Sequence, residues 1–403
     1  MISNQSQTVS LLPAGMRASP GMTGKKATHS IHALWLGLGV TFLSCLLTLA
    51  GLEIVLRFLP VQSHVPHLPV NADSPVARYQ PYRPFVYSNH WNFQNINYGR
   101  TNAQGFISDF DYNAADHRPL IAVIGDSYIE ARMVPFSQTL QETIRSGLND
   151  AVRVYAFAMN GAALSQYLAF AKMARNTYRP DMMVVNIVSN DFEESFAQFH
   201  AISRFHYFMG DTHGNLQPQL VGSYQPSWLR EILSHSALVR YLYFHLRITD
   251  IPRNIKRLTR SLSGRSRSNK PPSISSPSSA KKCQKDLEIS HRAVDAFLHL
   301  LPEYAGLTPG SIVVVLDGQR LSLYRGLHKQ DACFESMRHY ISERAGLMGY
   351  EVIDMHPVFK NDFKTHKQRF EFTHDAHWNA RAHELAGRAV LMSQTVTRHF
   401  KNE

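Results

Sequence analysis

A serine stands where an apolar run ends. Residues 120–124 read LIAVI, and Gly125-Asp126-Ser127-Tyr128 follows directly, ahead of helix-compatible sequence. If the run is a strand, a hydroxyl sits at its C-terminal end and at the start of a helix. Backbone N–H groups there point outward, and the helix dipole favours negative charge. Those are the requirements of a nucleophile whose attack creates an oxyanion. Gly-Asp-Ser is also an ordinary turn, so the tripeptide alone does not choose between catalysis and chain reversal. A second chemistry-bearing stretch lies near the C-terminus, where His356, His366, His374, His377 and His383 accompany Asp375. His374, His377 and Asp375 could hold zinc through nitrogen and oxygen. Against a metal, there is no His-Glu-x-x-His pattern, and with twenty-one histidines in the chain some clustering is expected. No metal site is assigned.

The elements that must position these groups follow from the hydrophobic pattern. Apolar runs at 120–124, 152–157, 182–188, 312–316 and 351–353 alternate with amphipathic stretches at 136–148, 163–176, 286–301 and 333–347. Continuous apolar strands between helices predict a parallel sheet covered on both faces, whose active groups lie at the C-terminal strand ends. The expected fold class is therefore α/β, a three-layer α/β/α arrangement around a parallel flavodoxin-like sheet, closed by a helical pattern over 379–400. Residues 60–118 are rich in Pro, Asn and aromatics and read as short strands and turns. An insertion at about 200–285 begins with a hairpin-like stretch and a helical one. It ends in a basic Ser/Pro segment, 253–285, expected to be a solvated loop.

Residues 33–52 are twenty in a row without a charge, and as a helix they would be about 30 Å long, one hydrocarbon core. Arg17, Lys25 and Lys26 precede the run, so the positive-inside bias predicts a cytoplasmic tail (1–30), a transmembrane anchor (31–59) and an extracytoplasmic remainder, periplasmic in a bacterium. A signal peptide cut near Thr48–Ala50 is the rival reading. The net charge of +11 suggests nucleic acid only until it is located: ten Lys/Arg and no acid fall within 253–285. The body is near neutral, so no nucleic-acid partner is expected, whereas the basic loop could contact anionic lipid or polysaccharide. Three cysteines without a C-x-x-C pattern exclude a disulfide miniprotein or zinc ribbon. Cys283 and Cys333 are expected to pair in an oxidising compartment.

Four blocks together carry a resemblance. IAVIGDSYIEA is similar to the first block of the GDSL/SGNH hydrolase family. Asn160-Gly161, Asn190-Asp191 and Asp375-Ala376-His377-Trp378-Asn379 follow in the family's order, each at a strand end or helix start, and the resemblance covers about residues 95–400. It implies that Ser127 is the nucleophile, His377 the base and then acid, and Asp375 the group that holds its tautomer. It further implies an oxyanion hole made by the Ser127 and Gly161 N–H groups and the Asn190 amide. No cofactor is implied. Two departures stand out: Ser189 replaces the usual glycine, and the last block spaces its acid and histidine as D-x-H rather than D-x-x-H. The D-x-H-W form is similar to the branch containing alginate O-acetyltransferase-like proteins.

Asp126 and Asp191 are read as cap or turn residues, and Arg100 and Asn102 as structural. Phe205, Tyr207, Phe208, Tyr241, Tyr243 and Phe244 could line a substrate site or pack the insertion onto the core. The expectation is a membrane-anchored serine esterase, an SGNH-like domain over 119–403 acting on an acyl ester of a glycan or lipid. An O-acyltransferase serving cell-envelope or exported polysaccharide is the alternative, and a catalytically silent binding protein with the same fold is the third reading.

Overall fold

The computed structural model describes residues 24–199, 201–211, 214–250, 277–325 and 332–401. Five strands, β3 (Leu120–Gly125), β4 (Arg153–Ala158), β5 (Met182–Ile187), β8 (Ile312–Leu316) and β9 (Glu351–Asp354), form one parallel sheet in the order β4-β3-β5-β8-β9. Counting only these strands the order is 2-1-3-4-5, the flavodoxin-like winding, whose switch point lies between β3 and β5. The four longest apolar runs became strands because both faces are covered: β3, β4, β5 and β8 are buried at every position.

Alternate residues of each strand feed two separate cores. Leu120, Ala122 and Ile124 join the first, with Tyr167 and Phe170 of the helix Leu164–Tyr178, Phe297 of Pro277–Ala305, and Ile341 of Ala332–Leu347. Ile121 and Val123 join the second, with Ile144 of Leu140–Gly147, Phe359 of Met355–His366, and Ala382 and Ala386 of Ala380–Leu391. The closing helical pattern is two helices, Ala380–Leu391 and Gln394–Phe400, separated where Ser393 caps the second by accepting from the Val396 N–H.

The stretch 60–118 carries short strands, as its composition suggested. Its hairpin β1 (Pro84–Asn89) and β2 (Gln94–Arg100) is antiparallel, and Val70, Tyr79, Phe85, Phe106 and Tyr112 are buried in the first core. The insertion contributes a second hairpin, β6 (His206–Gly210) and β7 (Leu216–Leu220). The long helix beginning at Pro277 takes in 277–285, the end of the stretch expected to be a solvated loop. Residues 251–276 of that stretch lie outside the described residues. Two short strands near the C-terminus, β10 (Glu371–Phe372) and β11 (Asp375–Trp378), pair antiparallel.

The chain divides after Val55. The helix Gly24–Arg57, all but its last two residues in the first unit, contains the span His32–Arg57, which at 26 residues and a mean hydropathy of 2.0 is long and apolar enough to cross a membrane. Cys333 is disulfide-bonded and Cys45 is free, while the side chain of Cys283 lies outside the described residues.

Candidate active site

Ser127 owes its position to a tight passage from strand to helix. β3 ends on Gly125, where a Cβ would fall 2.4 Å from Ile129 Cγ1, so only glycine lets the next helix fold back this closely. Asp126 caps the four-residue helix Ser127–Glu130 by accepting from the Tyr128 N–H at 2.9 Å, and Ala131 ends it in a left-handed conformation. Asp126 is thus the cap the sequence suggested, and its second oxygen lies 3.2 Å from Ser127 Oγ.

His377 comes from β11. Ser127 Oγ lies 2.8 Å from His377 Nε2 although 250 positions separate them. On the other side of the ring, Nδ1 bonds Asp375 Oδ1, which also accepts from the His377 N–H at 3.1 Å. The geometry therefore brings Ser127, His377 and Asp375 into one chain of hydrogen bonds at the C-terminal edge of the parallel sheet. His377 keeps 28% of its side chain exposed against 6% for Asp375, so the ring can be reached while the carboxylate is enclosed.

Several supports of this arrangement have no signature in the sequence. The Tyr87 phenol, on β1, donates to Asp375 Oδ2. Arg320, just beyond β8, donates to the Ala376 carbonyl and to the Tyr128 hydroxyl, each at 2.8 Å, and pairs with Asp317 at 2.9 Å. Trp378 is fully buried and donates its indole N–H to Asp317 Oδ1 at 2.8 Å. β11 is therefore pinned to the end of β8 at Ala376 and at Trp378, on either side of His377. Nothing short-range marks Arg320 or Tyr87; the tryptophan of the D-x-H-W block was visible, its partner was not.

The charges around the imidazole are arranged to keep it basic. Burial works against the His377 cation, but the hydrogen bond and charge of Asp375, helped by Asp126 and Glu130, lift it above its ordinary value. Burial would raise the Asp375 carboxyl, yet the His377 hydrogen bond and charge, with the Tyr87 phenol, hold it down at about 2. Asp126 goes the other way, pushed up by burial to about 6 against the Tyr128 N–H. Glu130 is raised by burial too, against Arg132, the Tyr79 phenol that donates to it and the Asn160 N–H.

Ser127, Glu130 and His377 open onto a cleft of about 550 Å³ walled by Arg132, Tyr243 and Phe244. The aromatics named from the sequence therefore divide. Phe205, Tyr207 and Phe208 are core, Tyr241 stacks on His245, and only Tyr243 and Phe244 face the cleft.

The remaining candidates fall around this centre. Gly161 occupies the turn after β4 at φ +79°, and a Cβ there would stand 3.0 Å from Ile202 Cδ1. The Asn190 amide donates to Glu194 at 2.9 Å, and neither Asn190 nor Gly161 lines the cleft. Asp191 shapes its turn, accepting from the Val188 N–H at 2.8 Å and the Tyr167 phenol at 3.0 Å. Asn102 likewise braces its own loop through the N–H groups of Gln104 and Phe106, and Arg100 donates to the Asp109 carbonyl. His374 stacks on His90 with ring centroids 4.3 Å apart, and His383 is buried with Nδ1 accepting from the Leu140 N–H. Among the described residues no three His, Cys, Asp or Glu side chains are grouped as a metal site requires.

No family model matches the chain, and no curated protein is similar to it. Solved structures that it resembles include a lipolytic protein of the G-D-S-L family from Veillonella parvula, at 13% identity and a TM-score of 0.34, over 68% of this chain and 98% of that one. A GDSL-like lipase from Parabacteroides merdae is similar at 11% identity and a TM-score of 0.37, over 68% of this chain and 94% of that one. A catalytic mutant of an acetylxylan esterase from Geobacillus stearothermophilus is similar at 12% identity and a TM-score of 0.37, over 69% and 95%.

Proposed function

We propose that the protein is a membrane-anchored serine ester hydrolase working through an acyl-enzyme. The single observation that carries this reading is the 2.8 Å contact of Ser127 Oγ with His377 Nε2, backed by Asp375 on the far side of the ring. With Nδ1–H donated to Asp375, Nε2 is left as an acceptor and can take the hydroxyl proton. Ser127 Oγ attacks the ester carbonyl as His377 removes its proton. The imidazolium returns that proton to the leaving alkoxide, and a tetrahedral intermediate collapses to acyl-Ser127 and alcohol. Water attacks the acyl-enzyme by the same steps in reverse, releasing the acid. The N–H groups of Ser127 and Gly161 are the proposed oxyanion donors, with the Asn190 amide joining them on release from Glu194.

The apolar helix of the first unit is the anchor in this reading, with the basic residues before it in the cytoplasm and the ester-cleaving domain outside. Transfer of the acyl group to a sugar hydroxyl is the second reading. It is favoured by the D-x-H-W block and by a cleft edge bearing Gln62, Asn89 and Asn160, which could hold a hydroxylated acceptor. The deciding experiment is fluorophosphonate labelling of the full chain followed by mass spectrometry. Labelling at Ser127 that Ser127→Ala abolishes, with the melting temperature kept, is expected; labelling at another serine would overturn the assignment.

A further inference from the structure

The segment before the parallel sheet reaches into the proposed catalytic chain at one point. We infer that Tyr87 is a positioning residue for Asp375, a fourth member of the chain Ser127–His377–Asp375. The inference rests on the ester-hydrolase reading above.

The two oxygens of Asp375 do different work. Oδ1 takes both contacts from His377, its ring Nδ1 and its own N–H. A carboxylate held through one oxygen can still pivot about its Cβ–Cγ bond. Oδ2 meets the Tyr87 phenol, whose strand lies 288 positions earlier, and that second bond fixes the plane of the carboxylate. The side chain of Asp375 is only 6% exposed, so water is poorly placed to replace a lost donor.

Tyr87 is itself well held. Its strand pairs with β2, with Tyr87 opposite Asn97, and the Asn97 amide donates to the carbonyls of Arg132 and Val134 just beyond the Ser127 helix. The same hairpin thus holds the turn that follows the nucleophile's helix with one residue and the acid with another. Burial and the charge of Asp375 keep the phenol neutral, so it remains a donor. A second phenol of the segment, Tyr79, is joined in the same way to Glu130.

The charged groups facing this chain are known. Asp375, Asp126 and Glu130 act on His377 to favour its cation, and His383, on the helix Ala380–Leu391, is lowered first by burial and then by the charge of His377. Arg132 and Arg247 act on Tyr87. Removing the phenol leaves the Asp375 charge less shared. It should then bind the imidazolium more strongly, while the ring is held less firmly toward Ser127.

The test is Tyr87→Phe in the full chain, with Tyr98→Phe, an exposed phenol of the same hairpin, as the control. Tyr87→Phe should lower kcat on a short aryl ester by roughly ten- to a hundred-fold, the worth of one hydrogen bond to a charged group, with KM changed less than about twofold. The acid limb of the kcat/KM profile should move up by about half a pH unit or more. The far-downfield proton signal of His377 Nδ1–H, assigned by its loss in His377→Gln, should also shift. That signal needs no turnover, so it reads Tyr87 even if Ser127 proves unreactive. Unchanged kcat, limb and proton signal, or equal effects from Tyr98→Phe, would overturn the inference.

Discussion

Arg320→Leu tests how the acid–histidine strand is held. The guanidinium is 9% exposed and makes three hydrogen bonds of 2.8–2.9 Å, to the Ala376 carbonyl, the Tyr128 hydroxyl and Asp317, with Glu371 3.6 Å away. Breaking a buried ion pair by removing one partner costs about 3–5 kcal/mol. The low half of that range applies, because no acceptor is stripped bare. Ala376 keeps the Tyr128 hydroxyl, Asp317 keeps Trp378 and the Gly318 N–H, and Glu371 keeps Tyr324 and Arg369. About 3–4 kcal/mol is therefore expected, which for a domain of this size lowers the melting temperature by roughly 4–6 °C. Arg369→Leu is the comparison. That guanidinium also pairs with Glu371, but it is 52% exposed, and its loss should stay within about 1 kcal/mol. Thermal unfolding of the two variants side by side gives the stabilities. Fluorophosphonate labelling rates report whether the backbone between Asp375 and His377 has moved. Equal costs for the two arginines, or Arg320→Leu with wild-type labelling, would refute the idea that a buried cation pins β11 to β8.

Three further outcomes follow from the same geometry. Because the His377 value is raised and the free base is required, kcat/KM should climb with pH through a point above the ordinary histidine value of about 6.5. Asp375, held at about 2 against about 3.9 in an unfolded chain, adds stability that is complete above about pH 5 and is lost as pH falls toward 2. An acid titration of the melting temperature should lose that component in Asp375→Asn. Gly125→Ala should destabilise by about 1–3 kcal/mol and suppress labelling of Ser127, since the new Cβ collides with buried Ile129; normal labelling would show that the turn yields more easily than its packing implies.

The parallel sheet was readable because strands buried on both faces leave continuous apolar runs, and 312–316 matches its strand to the residue. Ser127 was readable for a related reason, since the strand end and the helix start on either side of it are both local signals. The helix Met355–His366 was missed: it follows β9 directly and its apolar residues, such as Met355 and Phe359, are sparse. The aromatics of the insertion could not be sorted into core and cleft, because a ring looks the same in either place until its neighbours are known. The helix start at Pro277 also defied a composition that argued for a loop.

What the sequence determined alone is the alternation of strand and helix, the apolar span near the N-terminus, and a serine at a strand end. Local hydrophobic period and turn chemistry suffice for those. Only the tertiary structure decided that Tyr87 meets Asp375, that Arg320 grips the backbone at Ala376, and that the Asn190 amide turns to Glu194. The first two contacts span 288 and 56 positions, and no local pattern encodes which distant donor a buried carboxylate or carbonyl will find.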